Sequence, residues 1–445
     1  GDFAGQTGGS VFSIRTSQNI TMRRNLGAKN NRYTNSHIFL ISYDSKYILV
    51  EENEAYDFHR HGFDAFASSF ITLRRNYANS RGRADIDGGY ESHLNNRGDE
   101  GIVLYGTDDS IAENNISEGN EMFSAYAERN RFMGNIDLKD HWGFVVSHHC
   151  CDPTKAADNT LMNNVAIDTI STGYLEQSAV NTVVDHHTVI GSRAQDGAAG
   201  NNKYSSQREP PKPWTVFPST TIRNSLFVNN AKYGIRIDHT SDYTSRVLEY
   251  LNAFGNASGP YGPGTETRTN STTIDPQMGS CRVFIPPCPG SAATCASSPM
   301  KGTGKGGADI GANVLYAYQD GSLTNTPLWV TTKPTGYVGT TYPRYFKGCG
   351  TVIPGVNSDP VTSCVGIASR LNVDTNGCNL PPGYDTTPLP GDLNLDGFRT
   401  LTDVRWLIEM LVGSRDKTTA ADLNHDGNVT LADCQALIRL LVGPL

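Results

Sequence analysis

The chain is short of positive charge. Lys and Arg number 37 against 45 Asp and Glu, the formal net charge is −8, and charged residues make up only 18% of the 445. A polyanionic partner needs a concentrated basic footprint, so this balance argues against nucleic-acid binding. No apolar run approaches the ~18 residues of a membrane-spanning helix. No CxxC pair or Cys/His spacing of a zinc site is present. Neither a Gly-rich phosphate loop nor a nucleophile-elbow motif appears. Upstream of residue 391 no apolar period of 3.6 can be found, which argues against a helical body. Hydrophobic residues are only 37%, but 45 glycines supply the small interior positions that an average counting glycine as apolar would include. The chain opens Gly1-Asp2-Phe3 with no Met and no apolar leader, the start expected of a mature or truncated form.

Nine cysteines are present and unevenly placed: Cys150 and Cys151 adjacent, Cys281, Cys288, Cys295, Cys349, Cys364 and Cys378 in a Gly/Pro/Ser-rich stretch, and Cys434 alone. Cross-links help most where a segment has little periodic core. The clustering therefore points to disulfides, of open pairing, and to an oxidising, extracellular compartment.

The most specific signal lies at the C-terminus. Residues 392–403 read DLNLDGFRTLTD, and residues 422–433, thirty positions on, read DLNHDGNVTLAD. Oxygen ligands fall at the first, third and fifth places of each loop: Asp392, Asn394 and Asp396, then Asp422, Asn424 and Asp426. Gly397 and Gly427 hold the sixth place. Phe398 and Asn428 offer backbone carbonyls at the seventh, Thr400 and Thr430 occupy the ninth, and Asp403 and Asp433 close the loops. A hard cation takes six to eight such oxygens, so the pattern predicts two calcium ions. An EF-hand closes with a longer, bidentate Glu, and Asp at that place departs from it. Amphipathic stretches follow, Val404, Leu407, Ile408, Leu411 and Val412, then Leu437, Ile438, Leu440 and Leu441, each stopped by glycine at Gly413 or Gly443. The spacing predicts two loop–helix units packed face to face. The duplicated DxNxDGxxxxxD loop with one helix apiece resembles a dockerin. That resemblance implies a cohesin-like partner and a role in anchoring a secreted protein to a scaffold or cell surface. Leu401-Thr402 and Leu431-Ala432 stand where many dockerins carry the Ser-Thr pair that contacts cohesin.

A Pro/Gly-rich linker over 381–391 separates these loops from the rest. Upstream, apolar triplets followed by Asn recur about every 20 residues, at Asn53, Asn76, Asn96, Asn115, Asn135 and Asn164. A second marker alternates inward and outward: Phe63–Phe66, Ala84–Asp87, Ile102–Tyr105, Phe123–Tyr126 and Phe144–Ser147. Short period-2 strands at this interval are the signature of a β-solenoid, in which stacking supplies the apolar partner that no coil has alone. Asn at a fixed register suggests a ladder of amides, since Asn tolerates left-handed turns and can bond its successor. The pattern resembles the right-handed parallel β-helix of secreted, pectate-lyase-like proteins over roughly residues 11–330. Residues 306–312 (GGADIGA) are similar to the closing segment of many of these. The expected fold is thus mostly β: a right-handed parallel β-helix over 1–330, a disulfide-containing cap over 331–380, the linker, and an all-α calcium-binding module over 392–445. A capping helix is expected before Val11, and its absence suggests that further sequence precedes Gly1.

Aligned on the second marker, the outward positions of successive coils become neighbours about 4.8 Å apart. The alignment sets Asp64 beside Asp85 and places Phe66, Asp87, Tyr105 and Tyr126 in the parallel row, with Arg60, His61 and Arg83 just before the strands. Aromatic faces suit sugar rings, while clustered carboxylates hold calcium or act as an acid/base pair. Two mechanisms fit a polysaccharide substrate. In β-elimination, which the resemblance favours, calcium on Asp64, Asp85 and Asp87 would bind a uronate carboxylate while Arg60 or Arg83 takes the proton. In glycoside hydrolysis two carboxylates would serve as acid and as base or nucleophile. Asp137, Lys139, Asp140 and His141 read as a solvated turn; His148, His149, Cys150, Cys151 and Asp152 alternate faces and so rarely share one ion. His186, His187, Asp238 and His239 read as satisfied turn residues. A competing class is a non-enzymatic structural or adhesive surface protein, in which the solenoid is a rod and the calcium module its joint.

Overall fold

The computed structural model describes residues 9–28, 36–56, 58, 60–80, 100–120, 123–147, 156–177, 179–201, 219–238, 245–279, 281–285, 298–328, 391, 393, 401–418 and 421–442. Within them the chain winds through three parallel sheets of ten, nine and nine strands. The coil at 102–118 shows the plan: Ile102–Tyr105 lies in the first sheet, Ile111–Glu113 in the second and Ile116–Glu118 in the third. Alternate residues point inward and stack in register. Phe12, Phe39 and Phe63 superpose with ring centroids 4.7 and 4.6 Å apart, and Ile41, Ala65, Leu104 and Val146 are wholly buried beside them.

The expected marker strands form, with one exception. Ile102–Tyr105 pairs directly with His61–Phe66 on one side and Phe123–Tyr126 on the other. A strand has only two edges and both are taken by described strands; Ala84–Asp87 lies outside the described residues. Arg83, Asp85 and Asp87 lie outside the described residues, as does Asn96. The ladder likewise passes straight from Asn76 to Asn115, a step of 39 residues, against 20 from Asn115 to Asn135. That coil carries an insertion, which an eye seeking a constant interval divides into two.

The amide column is complete over six coils, from Asn25 to Asn164. Side-chain Nδ2 of Asn25, Asn53, Asn76, Asn115 and Asn135 donates to Oδ1 of the next Asn at 3.0, 3.2, 3.0, 3.1 and 2.9 Å. The same Oδ1 accepts the preceding backbone N–H, as Asn115 does from Asn76 at 2.9 Å. The spare amide proton of Asn115 goes to the Leu73 carbonyl at 2.8 Å. The left-handed residue of this corner is the one before the ladder Asn: Arg24, Glu52, Arg75, Asn114, Gly134 and Asn163 all have positive φ. The Asn itself opens the third sheet. After Asn164 the same place is held by His187, aligned by the pairing of Val165 with Thr188. Burial pushes its pKa down to about 3, and neither ring nitrogen has a hydrogen-bond partner.

The third sheet buries its outer face as well. Residues 281–285 and 298–328 lie along it, so that Val283, Phe284, Val314 and Ala317 pack on Tyr77, Ile116, Ile136 and Val165. Backbone donors mark the path: Gly311 N–H bonds to the Asn224 carbonyl, Ala312 N–H to Thr188 Oγ1, Tyr318 N–H to Asn114 Oδ1 and Gly321 N–H to Glu113. Gly311 has φ 107°, and a Cβ there would lie 3.0 Å from Ile285, so only glycine fits. The GGADIGA run thus belongs to this returning strap rather than to an end of the coils. Asp137 and Asp140, expected in a solvated turn, are fully buried; Asp140 accepts from Ser117 at 2.5 Å and from the Asn120 N–H at 2.8 Å. In the C-terminal part, helices Leu401–Leu411 and Leu431–Val442 share a small core of Leu393, Leu407, Met410, Ala421, Val429, Cys434 and Leu437. Ile408, Val412, Ile438 and Leu440, assigned to the packed face from the sequence, are exposed, because two short helices bury only a narrow stripe apiece.

Two stability predictions follow from the interior. Asn115→Ala orphans donors and acceptors in two neighbouring coils and should destabilise the solenoid by about 2–4 kcal/mol, read as a lowered denaturation midpoint. Glu176 points inward; burial raises its pKa to about 8 against the pull of a hydrogen bond from the Tyr174 hydroxyl. Its folded pKa therefore exceeds its unfolded value, and its contribution is fully present below the unfolded pKa and lost as pH rises toward 8. Thermal unfolding of Glu176→Gln should show a gain of a few kcal/mol at pH 8 and little change at pH 4.5; equal effects at both pH values would contradict the assignment.

Candidate functional site

The C-terminal loop is described from Ala421 onward, and its side chains are set by its own backbone. The Asp422 carboxylate accepts the Asp426 and Gly427 N–H groups at 3.1 and 2.8 Å. Asn424 Oδ1 accepts Asp426 N–H at 3.0 Å, and Asp426 Oδ1 accepts Asn428 N–H at 2.9 Å. Gly427, at φ 85°, makes the sharp turn that a ligand loop needs at its sixth place. Asp433 is buried and caps the loop from the helix: Oδ1 accepts the Leu423 and Asn424 N–H groups, and Oδ2 accepts Thr430 N–H at 2.7 Å. Burial favours its neutral form, yet these N–H donors and the Thr430 hydroxyl hold its pKa below the usual carboxylate range. Short oxygen donors arranged around one turn are what a hard divalent cation takes, so Asp422, Asn424, Asp426, Asn428, Thr430 and Asp433 fit calcium. Of the first loop Asp403 is described: it too is buried, and it accepts Leu393 N–H at 2.8 Å, the bond that Leu423 and Asp433 make thirty residues on. Asp392, Asn394, Asp396, Phe398 and Thr400 lie outside the described residues.

The second site sits on the outer face of the first sheet. Asp64 faces outward from His61–Phe66 but is only 3% exposed. Its ladder neighbours are Leu40 and Val103, not Asp85. Its true companions come from the entry ends of the strands. Asp64 Oδ2 lies 2.9 Å from His61 Nδ1 and 3.1 Å from His37 Nδ1, and His61 Nε2 lies 2.6 Å from Glu100 Oε2. His37 and His61 meet because their strands pair in register at these residues. Burial alone would strip the proton from His61, but a carboxylate on each ring nitrogen outweighs it and raises the pKa to about 9. Glu100 goes the other way: against its burial, the His61 charge and Arg60 lower it to about 2. His37, for which burial wins, falls to about 3 and is neutral. Arg60 Nε comes within 3.1 Å of His61 Nε2; that nitrogen carries a proton directed at Glu100, so the contact is an approach of two cations sharing one acid rather than a hydrogen bond.

The aromatic row forms as the register requires. Tyr105 is paired with Phe66 and Tyr126, with ring centroids 5.6 and 5.3 Å away. Tyr43, at the end of the neighbouring strand, meets Phe66 edge-on at 5.7 Å. The row touches the acid cluster through Tyr126 Oη, 3.4 Å from Glu100 Oε1, and its rings are half-buried. Sequence reasoning thus placed Arg60, His61, Asp64, Phe66, Tyr105 and Tyr126 in one patch. It missed His37 and Glu100. His37 lies before the period-2 run of its strand, and Glu100 follows an insertion; a readable signal was the shared offset of His37 and His61 from Phe39 and Phe63.

For the C-terminal loop the expected outcome is direct: Asp422→Ala and Asp433→Ala each weaken calcium binding at least tenfold, about 1.4 kcal/mol, in calorimetric titration, and unchanged isotherms would remove these residues from the ligand set.

Residues 390–442 match the model of the dockerin type I domain, a calcium-binding module. Among solved structures, the mannuronan C-5 epimerase AlgE4 A-module of Azotobacter vinelandii is similar, with 13% identity and a TM-score of 0.38 over 59% of this chain and 80% of that one. No curated protein matches the chain. With its three parallel sheets and the dockerin match over 390–442, the chain is a parallel β-helix protein that carries a C-terminal dockerin type I domain.

Proposed function

We propose that this is a secreted protein acting on acidic polysaccharide through the patch around Arg60, His61 and Asp64, and held by its dockerin domain to a cohesin-like partner on a scaffold or cell surface. The observation that carries the reading is the charged cluster of Arg60, His61, Asp64 and Glu100, joined through Tyr126 Oη at 3.4 Å from Glu100 to a half-buried aromatic row at Phe66, Tyr105 and Tyr126. Ring faces accept the apolar side of a pyranose, and the Arg60 guanidinium answers a uronate carboxylate. His61, Asp64 and Glu100 beneath supply groups that hold or move a proton, which suits abstraction beside a carboxylate better than hydrolysis. Arg83, Asp85 and Asp87 remain candidates for the same work. Two calcium ions in the C-terminal loops, one per loop, would keep the anchor folded. Disulfide-bonded Cys281 supports an oxidising compartment. The division at 1–330, 331–380, 381–391 and 392–445 is part of the same proposal.

The rod-and-anchor reading has one observation of its own, the depth of the cluster: His61 is 2% and Asp64 3% exposed. Activity separates the two. Incubated with a panel of uronate and neutral glycans, the protein should release unsaturated uronide ends, or change uronate configuration by NMR, on acidic chains alone. Arg60→Ala and Tyr105→Ala should each cut that rate more than tenfold while moving the thermal midpoint by no more than a few degrees. No change in any glycan would leave the rod reading standing.

A further inference from the structure

We infer that His37, His61 and Asp64 form a binding site for a first-row divalent metal of borderline softness, zinc or a neighbour of it, rather than for calcium. The inference takes the same patch as the reactive one, but it stands on donor chemistry and is read without turnover.

Three donor atoms converge there, one from each side chain, all within 4.8 Å of one another. The two Nδ1 atoms face a single carboxylate oxygen, Asp64 Oδ2, at 2.9 and 3.1 Å. Adjacent ligands on a metal with bonds of ~2.1 Å are themselves ~3–3.4 Å apart, so the set is spaced as a coordination edge. All three residues are more than nine-tenths buried. His37 Nδ1 makes no aligned hydrogen bond, and Asp64 Oδ1 has no hydrogen-bond partner, which leaves donor capacity directed into the cluster.

Glu100 is the independent mark. A ligating imidazole presents one nitrogen to the metal and gives the other N–H to a carboxylate, which fixes the tautomer and raises ligand basicity. His61 turns Nδ1 to the donor set and has Glu100 Oε2 2.6 Å from Nε2. In the metal-bound form Nε2–H donates to Glu100, and the Nδ1 lone pair is free to ligate. Two imidazoles and one carboxylate suit zinc, iron(II), cobalt or nickel, whereas calcium takes oxygen. Calcium was expected here from Asp64, Asp85 and Asp87; the companions that the fold brings to Asp64 are imidazoles, and that changes the class of ion. A cation at this place lies beside Arg60 and the aromatic row, where it would meet the carboxylate of an acidic sugar.

The test uses the full chain with calcium in excess, so that the dockerin loops are filled. Zinc or cobalt(II) is then added, and bound metal is counted after gel filtration. One equivalent should be retained, cobalt should give a visible absorption band, and zinc should raise the thermal midpoint of the wild type. His37→Gln and Asp64→Asn, close in shape to the native residues, should lose the equivalent, and Glu100→Gln should weaken binding 10–100-fold. Failure to retain metal, or retention unaltered in both ligand variants, overturns the assignment. Metal bound without action on any glycan keeps this inference and sinks the proposed activity. Action on acidic glycans with no metal retained by the wild type does the reverse.

Discussion

Each ladder asparagine from Asn53 to Asn135 sits at the corner between the second and third sheets with both amide protons and both carbonyl lone pairs in use. A buried amide left open would cost as much as a bond gains, so each coil must arrive in the register that meets the last. That constraint makes a stack of short strands into one object. It also lets the loops outside the corner vary: an insertion after Ser80 leaves Asn76 and Asn115 as well matched as Asn115 and Asn135. Where the column passes to His187, the amide pattern stops and the interior becomes more polar, with Glu176 and Thr182 among its buried groups.

Charge is buried outside the coils in two different ways. At the corner, Arg and Glu alternate between coils: Arg75 Nη2 lies 2.7 Å from Glu51 and 2.9 Å from Glu52, and Arg74 Nε lies 2.7 Å from Glu113. These pairs answer one another, and Asp320 of the returning strap joins them at 2.5 Å. On the first sheet the set is unequal. Two imidazoles and two carboxylates are packed with one nearby guanidinium; the flanking carboxylates raise the pKa of His61 against its burial, while burial outweighs Asp64 at His37 and lowers it, although both rings lie at paired positions.

Much of this was legible in the residues. The loop over 422–433 could be read because ligand residues, turn and helix start are all within twelve residues, and local geometry sets their arrangement. The strands from Phe63 to Phe144 could be read because the period-2 alternation repeats at a nearly constant interval. Asp64 beside Asp85 could not, since which strands are adjacent is set by pairing across the insertion and not by spacing along the chain. The strap over the third sheet was equally hidden: Ile116, Ile136 and Val165 alternate with interior residues in strands buried on both faces, a pattern that names no partner.

The chain alone therefore decides what repeats: the coil length, the inward residues, the amide at the corner and the oxygen ligands of the terminal loops, all of them contacts between near neighbours or equivalent places. Tertiary structure decides what does not repeat. His37 reaches Asp64 and His61 from the head of the paired strand one coil away and Glu100 from just before the next strand, and their company is fixed by the stacking of whole coils. An electrostatic site of that kind depends on distances of a few ångströms between residues far apart in order, and only the folded solenoid sets them.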